Sequence, residues 1–144
     1  MDIFPEEHTV QIENLETGET SKEEYQKLLI ASGAVPKKLP FIDYSVAGIF
    51  NVHNIEDLRQ ILGYLKNQKP KRAAVIGAEN IGLELVEALQ RQKIEIFLLE
   101  ALEIPAANWP PIIQRAVLNK LQEKKIHFIK KAAIKTIKKK VMAF

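Results

Sequence analysis

The chain has 144 residues, of which 47% are hydrophobic and 27% charged, and its formal net charge is +3. It contains no cysteine, which excludes a disulfide framework. No apolar run approaches the roughly 18 residues of a membrane-spanning helix, and residues 1–7 lack the basic start of a signal peptide. We therefore expect a soluble cytoplasmic protein without a membrane partner.

The first predicted unit, residues 1–45, is a β-hairpin followed by an extended linker that contains two prolines. Val10 and Ile12 alternate with polar neighbours, residues 16–19 form the turn, and the apolar run 25–31 is expected to be the second strand. An isolated two-stranded hairpin is barely stable in water. We therefore expect this appendage to fold back on the remaining chain or to self-associate with a partner chain.

The second predicted unit, residues 46–144, begins with a helix. Asn54 is expected to cap this helix, with the Asp57 carboxylate reaching back within the first turn. The apolar residues of the helix are expected to form one buried face: Ile55, Leu58, Leu62 and Leu65.

A glycine-containing turn follows the apolar run 73–76, which is continuous as expected for a strand covered on both faces. Gly77 and Gly82 have the spacing of the first and last glycines in the phosphate-binding pattern G-x-G-x-x-G, but Glu79 occupies the middle position. The helix that begins here is expected to bury one stripe of residues: Ile81, Leu85, Ala88 and Leu89.

A second apolar run, residues 94–99, is followed by Glu100, which lies 23 positions after Gly77. In dinucleotide-binding sheets, an acidic residue roughly 20 positions after the glycine turn accepts hydrogen bonds from the ribose hydroxyls. A carboxylate at this position repels a 2′-phosphate, and neither residue 101 nor residue 102 is basic. The pattern therefore favours NAD over NADP.

The remaining elements complete an α/β pattern. A third helix is predicted to begin at residues 109–111, where prolines suit the first turn, and strands are predicted at 126–129 and 133–137. The expected buried residues of the helix are Ile112, Ile113, Ala116, Val117 and Leu121. The order β-α-β-α-β is typical of one half of a Rossmann-like parallel sheet. The predicted fold class is α/β, with the N-terminal β-hairpin as an appendage.

The sequences of several segments also resemble those of one known protein family. Residues 75–85, Val-Ile-Gly-Ala-Glu-Asn-Ile-Gly-Leu-Glu-Leu, resemble the NAD-binding signature of the FAD-dependent pyridine nucleotide-disulfide oxidoreductases. Residues 25–36 are similar to the family segment Tyr-Asp-x-Leu-x-x-Ala-Thr-Gly-Ala-x-Pro, and residues 48–58 to its link into the NAD domain. The family includes NADH oxidases, coenzyme A disulfide reductases, rubredoxin reductases and nitrite reductase flavoproteins. The resemblance implies the NAD(H)-binding portion of a FAD-dependent NADH oxidoreductase.

The chain departs from the family pattern at Gln26, Ser32 and Glu79. It also lacks the glycine-rich turn for FAD, because no two of its six glycines are separated by one residue. The redox-active thiol of some members is absent as well, since the chain has no cysteine. FAD is therefore expected to bind only together with flanking segments outside this sequence, and no catalytic residue is predicted. The chain alone is expected to be inactive.

The predicted cofactor-binding residues are Gly77, Glu79, Asn80, Ile81, Gly82, Glu84 and Glu100. The first helical amides attract an anion, whereas a carboxylate about 4 Å from a phosphate costs roughly 4 kcal/mol at an effective dielectric constant near 20. Weak NAD(H) binding is therefore expected. For Glu84 two roles stay open: the resemblance implies a contact near the nicotinamide ribose, and an exposed acid that favours the helix dipole fits equally well.

Two other function classes remain. A degenerate relative could keep the scaffold as a non-catalytic interaction module with weak or no nucleotide binding. The C-terminal lysines could bind a nucleic acid, although a solvated strand face is favoured, so no nucleic-acid partner is expected. These lysines are Lys130, Lys131, Lys135, Lys138, Lys139 and Lys140. The three histidines lack metal-ligand spacing, so no metal site is predicted. The expected partners are a nicotinamide dinucleotide and a flavin-binding domain.

Overall fold

The computed structural model describes residues 2–137, and its contacts divide the chain into two compact units after Ala34. The first unit is an antiparallel sheet of three strands in the order β1-β2-β3. The strands are β1 (Asp2–Phe4), β2 (Thr9–Glu13) and β3 (Thr20–Glu24). The predicted domain boundary after residue 45 stays a prediction.

The N-terminal hairpin is confirmed, whereas the prediction that residues 25–31 form its second strand is wrong. The turn after β2 is closed by hydrogen bonds from the Asn14 amide to the Glu19 carbonyl (2.8 Å) and from the Gly18 amide to the Asn14 carbonyl (2.7 Å). Because this tight turn reverses the direction of the chain, the polar segment Thr20–Glu24 pairs with β2. All side chains of β3 are exposed, which is why the apolar pattern did not reveal it.

The second unit contains three helices and three strands within the described residues. They are α1 (Ile55–Gln68), β4 (Arg72–Ile76), α2 (Asn80–Arg91), β5 (Glu95–Leu99), α3 (Pro111–Glu123) and β6 (His127–Ile129). The strands form a parallel sheet in the order β4-β5-β6, with Ala74 paired to Phe97 and Leu98 paired to Phe128. The predicted β-α-β-α-β half of a Rossmann-like sheet is confirmed.

The core lies between this sheet and helices α2 and α3. Val75 from β4 and Leu98 from β5 pack against Val86 and Leu89 of α2 and Leu121 of α3 in one buried cluster. Right-handed crossovers between strands that follow one another in the sheet place both helices on the same face. The prediction that β4 is covered on both faces is therefore wrong, since its alternate residues Ala74 and Ile76 are exposed.

The predicted buried stripes are right in part. Leu65 of α1, Leu85 and Leu89 of α2, and Ile113, Val117 and Leu121 of α3 are buried or half-buried. The residues that are instead exposed are Ile55, Leu58, Leu62, Ile81, Ala88, Ile112 and Ala116. A period of 3.6 residues shows that a helix is amphipathic, but the contacts in the fold determine which part of the apolar surface is covered. In α1 the buried residue is Ile61.

The chain leaves the sheet after β6, so the predicted strand at 133–137 is wrong. Lys131 adopts a left-handed conformation (φ 52°), and its amide donates to the carbonyl of Leu102 (3.0 Å). The Ala132 amide donates to the carbonyl of Glu100 (2.8 Å). These contacts hold the segment against the loop after β5. Residues 138–140, part of the lysine cluster, lie outside the described residues.

Candidate functional site

The first glycine of the turn is required by backbone conformation. Gly77 follows β4 with φ of +98°, a region that glycine enters without steric cost. Its amide donates to the carbonyl of Leu99 (2.8 Å), which continues the pairing of β4 with β5 for one more residue. The turn therefore starts at the carboxyl edge of the sheet.

The last glycine of the pattern is required because a side chain has no space at this position. A Cβ atom added to Gly82 would lie 1.9 Å from the carbonyl oxygen of Gly77 and 3.7 Å from a Val75 methyl carbon. The first turn of α2 therefore packs directly on the backbone that leaves β4. This is the close helix–strand approach for which the third glycine of a dinucleotide-binding turn is used.

The first turn of α2 presents unpaired backbone amides. The Leu83 amide donates to the carbonyl of Glu79 (2.9 Å), which is the first hydrogen bond of the helix. Between residues 2 and 137, the amides of Asn80, Ile81 and Gly82 have no acceptor. Such amides, together with the helix dipole, create a site for an anion.

Glu100 lies at the same edge of the sheet. Its Oε2 atom accepts a hydrogen bond from the Ala78 amide (2.7 Å), and its Oε1 atom accepts one from the Leu102 amide (2.9 Å). The half-buried carboxylate thus joins the glycine turn to the loop after β5. Gly77 and Glu100 therefore lie at the same edge of the parallel sheet.

Glu79 makes a contact that the sequence did not reveal. Its Oε1 atom accepts a hydrogen bond from the Ala107 amide (3.0 Å), and the neighbouring Ala78 carbonyl accepts one from the Ala106 amide (2.8 Å). The side-chain amide of Gln114 in α3 donates to the carbonyl of Ala107 (3.1 Å). No local motif marks residues 104–109 as part of the site, because their partners lie 28 positions earlier in the chain.

A groove of about 1080 Å³ adjoins the turn along β4. Its walls include Gly77, Glu79 and Asn80 from the turn, and Asn108 and Trp109 from the loop before α3. The loop fixed by Glu79 therefore borders the same space as the unpaired amides.

The structure thus brings together six of the seven predicted residues: Gly77, Glu79, Asn80, Ile81, Gly82 and Glu100. The seventh, Glu84, is exposed on α2, one turn beyond Asn80. Neither of its two predicted roles is tested by this position.

The lysines next to the site are part of an ion-pair network. Lys130 and Lys131 both pair with Glu103, and their hydrogen bonds lower the pKa of its carboxyl to about 2. Among residues 2–137, no group of three or more acidic or histidine side chains is arranged to hold a metal ion. No helix in the same range is long and apolar enough to cross a membrane.

Residues 1–142 match the family of pyridine nucleotide-disulphide oxidoreductases. The chain belongs to this family. Its predicted membership is therefore confirmed, over nearly the whole sequence.

Curated relatives carry names of nicotinamide-dependent reductases. The chain is 30% identical over 127 residues to the ferredoxin–NAD(+) reductase component of 3-phenylpropionate/cinnamic acid dioxygenase from Photorhabdus laumondii, covering 88% of this chain and 30% of that protein. It is 28% identical over 138 residues to the rubredoxin-NAD(+) reductase of Acinetobacter baylyi, covering 95% and 35%. The chain spans about a third of the length of these relatives.

Solved structures support the same fold. The NAD-dependent persulfide reductase from A. fulgidus aligns with a TM-score of 0.75 and 28% identity, over 95% of this chain and 25% of that chain. The water-forming NADH oxidase from Lactobacillus brevis, bound to NADH, aligns with a TM-score of 0.73 and 21% identity, over 94% and 30%. The second likeness concerns the fold alone.

Proposed function

We propose that this chain is the NAD(H)-binding portion of a FAD-dependent NADH oxidoreductase, which presents the nicotinamide to a flavin that the chain does not hold alone. The observation that supports this most strongly is the hydrogen bond between the Ala78 amide and Glu100 (2.7 Å). It joins an anion-binding helix start to an acidic residue at the edge of the sheet. A dinucleotide needs both at this spacing.

The described residues fit the two charged parts of NAD. The amides of Asn80, Ile81 and Gly82 would donate to the pyrophosphate, which the dipole of α2 also attracts. Glu100 accepts two backbone amides, and an ionised carboxylate has about four acceptor sites, so capacity remains for ribose hydroxyls. The same negative charge would disfavour the 2′-phosphate of NADP.

We do not assign flavin binding to this chain alone, because the sequence contains no second glycine-rich turn. The role proposed for this chain is therefore limited to binding and orienting NAD(H), while the hydride acceptor would be held by a flavin-binding part. Relatives named as NADH oxidase and rubredoxin-NAD(+) reductase support this assignment of class.

Glu79 supports a second candidate function. Its side chain occupies the position where the family pattern has the glycine that allows close approach of the pyrophosphate. A chain that tolerates this change could have kept the fold as an interaction module with weak or no nucleotide binding.

Calorimetric titration of the chain with NADH and NADPH tests the proposal. We expect weak binding of NADH and weaker binding of NADPH. A Glu100→Gln variant should lose about tenfold in NADH affinity, because it loses the charge-assisted interaction and its NH2 group cannot accept a hydrogen bond from the Ala78 or Leu102 amide. Glu79→Gly should bind NADH more tightly, by at most about a thousandfold if a full charge close to the phosphate is removed.

Glu87→Gln is the matched control, since Glu87 also lies on α2 and pairs with Arg91 on the surface (2.6 Å), away from the glycine turn. It should leave the NADH affinity within about twofold of the unaltered chain. If neither the chain nor Glu79→Gly binds NADH, the interaction module becomes the better assignment.

A further inference from the structure

The loop before α3 is held against the glycine turn by consecutive backbone amides. The Ala106 amide donates to the Ala78 carbonyl (2.8 Å), and the Ala107 amide donates to the Glu79 carboxylate (3.0 Å). Ala106 is almost completely buried and adopts a left-handed conformation (φ 50°), which non-glycine residues enter only at a cost. Such a conformation persists only where surrounding contacts enforce it.

From the other side, α3 supports the same loop. The side-chain amide of Gln114 donates to the carbonyls of Ala107 (3.1 Å) and Trp109 (2.8 Å). Within the described part of the chain, Glu79 is the one residue of the turn whose side chain forms a hydrogen bond with the loop. Without this acceptor, the half-buried Ala107 amide would lose its partner.

We propose that Glu79 is a positioning residue, whose carboxylate anchors the loop 104–109 on the glycine turn and so maintains one wall of the cofactor groove. The cofactor half of this inference rests on the proposed function, because Asn108 and Trp109 border the same groove as the turn. Glu79 therefore has two opposite effects on the site. Its charge disfavours the pyrophosphate, while its hydrogen bond orders the loop.

Two substitutions separate these effects. Glu79→Gln removes the charge but keeps an oxygen that accepts from the Ala107 amide, whereas Glu79→Ala removes both the charge and the acceptor. If only charge mattered, both variants would bind NADH equally well, or the smaller alanine would bind it better. If the anchor matters, glutamine should bind more tightly than alanine.

The first measurement is amide hydrogen exchange, followed residue by residue by NMR in the absence of nucleotide. The Ala107 amide should exchange at least about tenfold faster in Glu79→Ala than in the unaltered chain, and within about threefold in Glu79→Gln. The Gly77 amide, which donates to Leu99 in the sheet, should be unchanged in both variants and serves as the internal control. Equal exchange rates of the Ala107 amide in all three proteins would refute the anchoring role of Glu79.

The second measurement is NADH affinity by calorimetry. Glu79→Gln should bind NADH more tightly than the unaltered chain, and Glu79→Ala should bind roughly fivefold less tightly than Glu79→Gln, the ratio given by a hydrogen bond of about 1 kcal/mol. Alanine matching or exceeding glutamine would refute the role of the loop in cofactor binding. Absence of NADH binding in every protein would refute the proposed function, whereas the exchange experiment still tests the anchor by itself.

Discussion

Replacing Gly82 by alanine is expected to destabilise the second unit, because the added methyl group has no space between α2 and the turn. Its Cβ would lie 1.9 Å from the Gly77 carbonyl oxygen and 3.0 Å from the carbonyl carbon. The optimal distance between non-bonded atoms of this kind is near 3.5 Å, so α2 and the turn would have to separate by roughly 1.5 Å. Both clashing atoms belong to the backbone, so no side-chain rotation relieves the overlap.

The size of the effect follows from the packing behind the turn. Moving α2 away from β4 would disturb the contacts of Val86 and Leu89 with Val75, all of which are buried. Overpacking costs up to about 3 kcal/mol in typical cores, and alanine returns about 1 kcal/mol as the better helix former. We expect a net loss of about 2 kcal/mol, which lowers the melting temperature of a unit of this size by roughly 10 °C.

Gly63→Ala is the matched control. Gly63 also lies inside a helix, α1, but a Cβ atom added there has no neighbour within 4 Å. The same substitution should therefore raise the stability of the second unit by about 1 kcal/mol, through helix propensity alone.

Urea denaturation followed by tryptophan fluorescence suits both variants, because the only tryptophan, Trp109, lies in the second unit. The midpoint should fall for Gly82→Ala and rise for Gly63→Ala. A Gly82→Ala chain as stable as the unaltered one would show that the turn and α2 are not packed as closely as described, and would refute the steric argument.

Three further predictions use the same assay. Gly77→Ala should cost about 1–3 kcal/mol through backbone strain at φ +98°, although the space around its Cβ is open, and an unchanged midpoint would contradict this. Asn54→Ala should cost about 1 kcal/mol because it removes the capping box of α1, and a loss below about 0.3 kcal/mol would speak against that cap. Lys130 and Lys131 hold the pKa of Glu103 at about 2, below its usual 4.5. The stabilisation of the fold by this carboxylate should therefore be present above pH 4.5 and lost as the pH falls towards 2. The stability difference between the chain and Glu103→Gln should shrink over that interval at low salt, and a constant difference would contradict the ion-pair network.

The predictions that succeeded rest on signals within a few residues of each other. Asn54 and Asp57 form the capping box, and α3 begins at Pro111 as its prolines indicate. The spacing of Gly77 and Gly82 marks the turn because the backbone conformation and the close packing at these positions exclude larger side chains.

The predictions that failed concern features that the pattern of apolar residues does not show. The polar strand β3 pairs with β2 because of the turn between them, and the exposed residues Ile55 and Leu58 of α1 have the same periodicity as a buried face. Periodicity describes the helix itself, whereas burial depends on the neighbours that the fold supplies.

The amino-acid sequence by itself determined the β-α-β-α-β order from β4 to β6, the glycine turn, the acidic residue at the end of β5 and the family. Only the tertiary structure showed that Glu79 binds the Ala107 amide and that Glu100 binds the Ala78 amide. The physical reason is that apolar runs, caps and glycine spacing act through local backbone geometry. A hydrogen bond between residues more than twenty positions apart exists only after the sheet has brought them to the same edge.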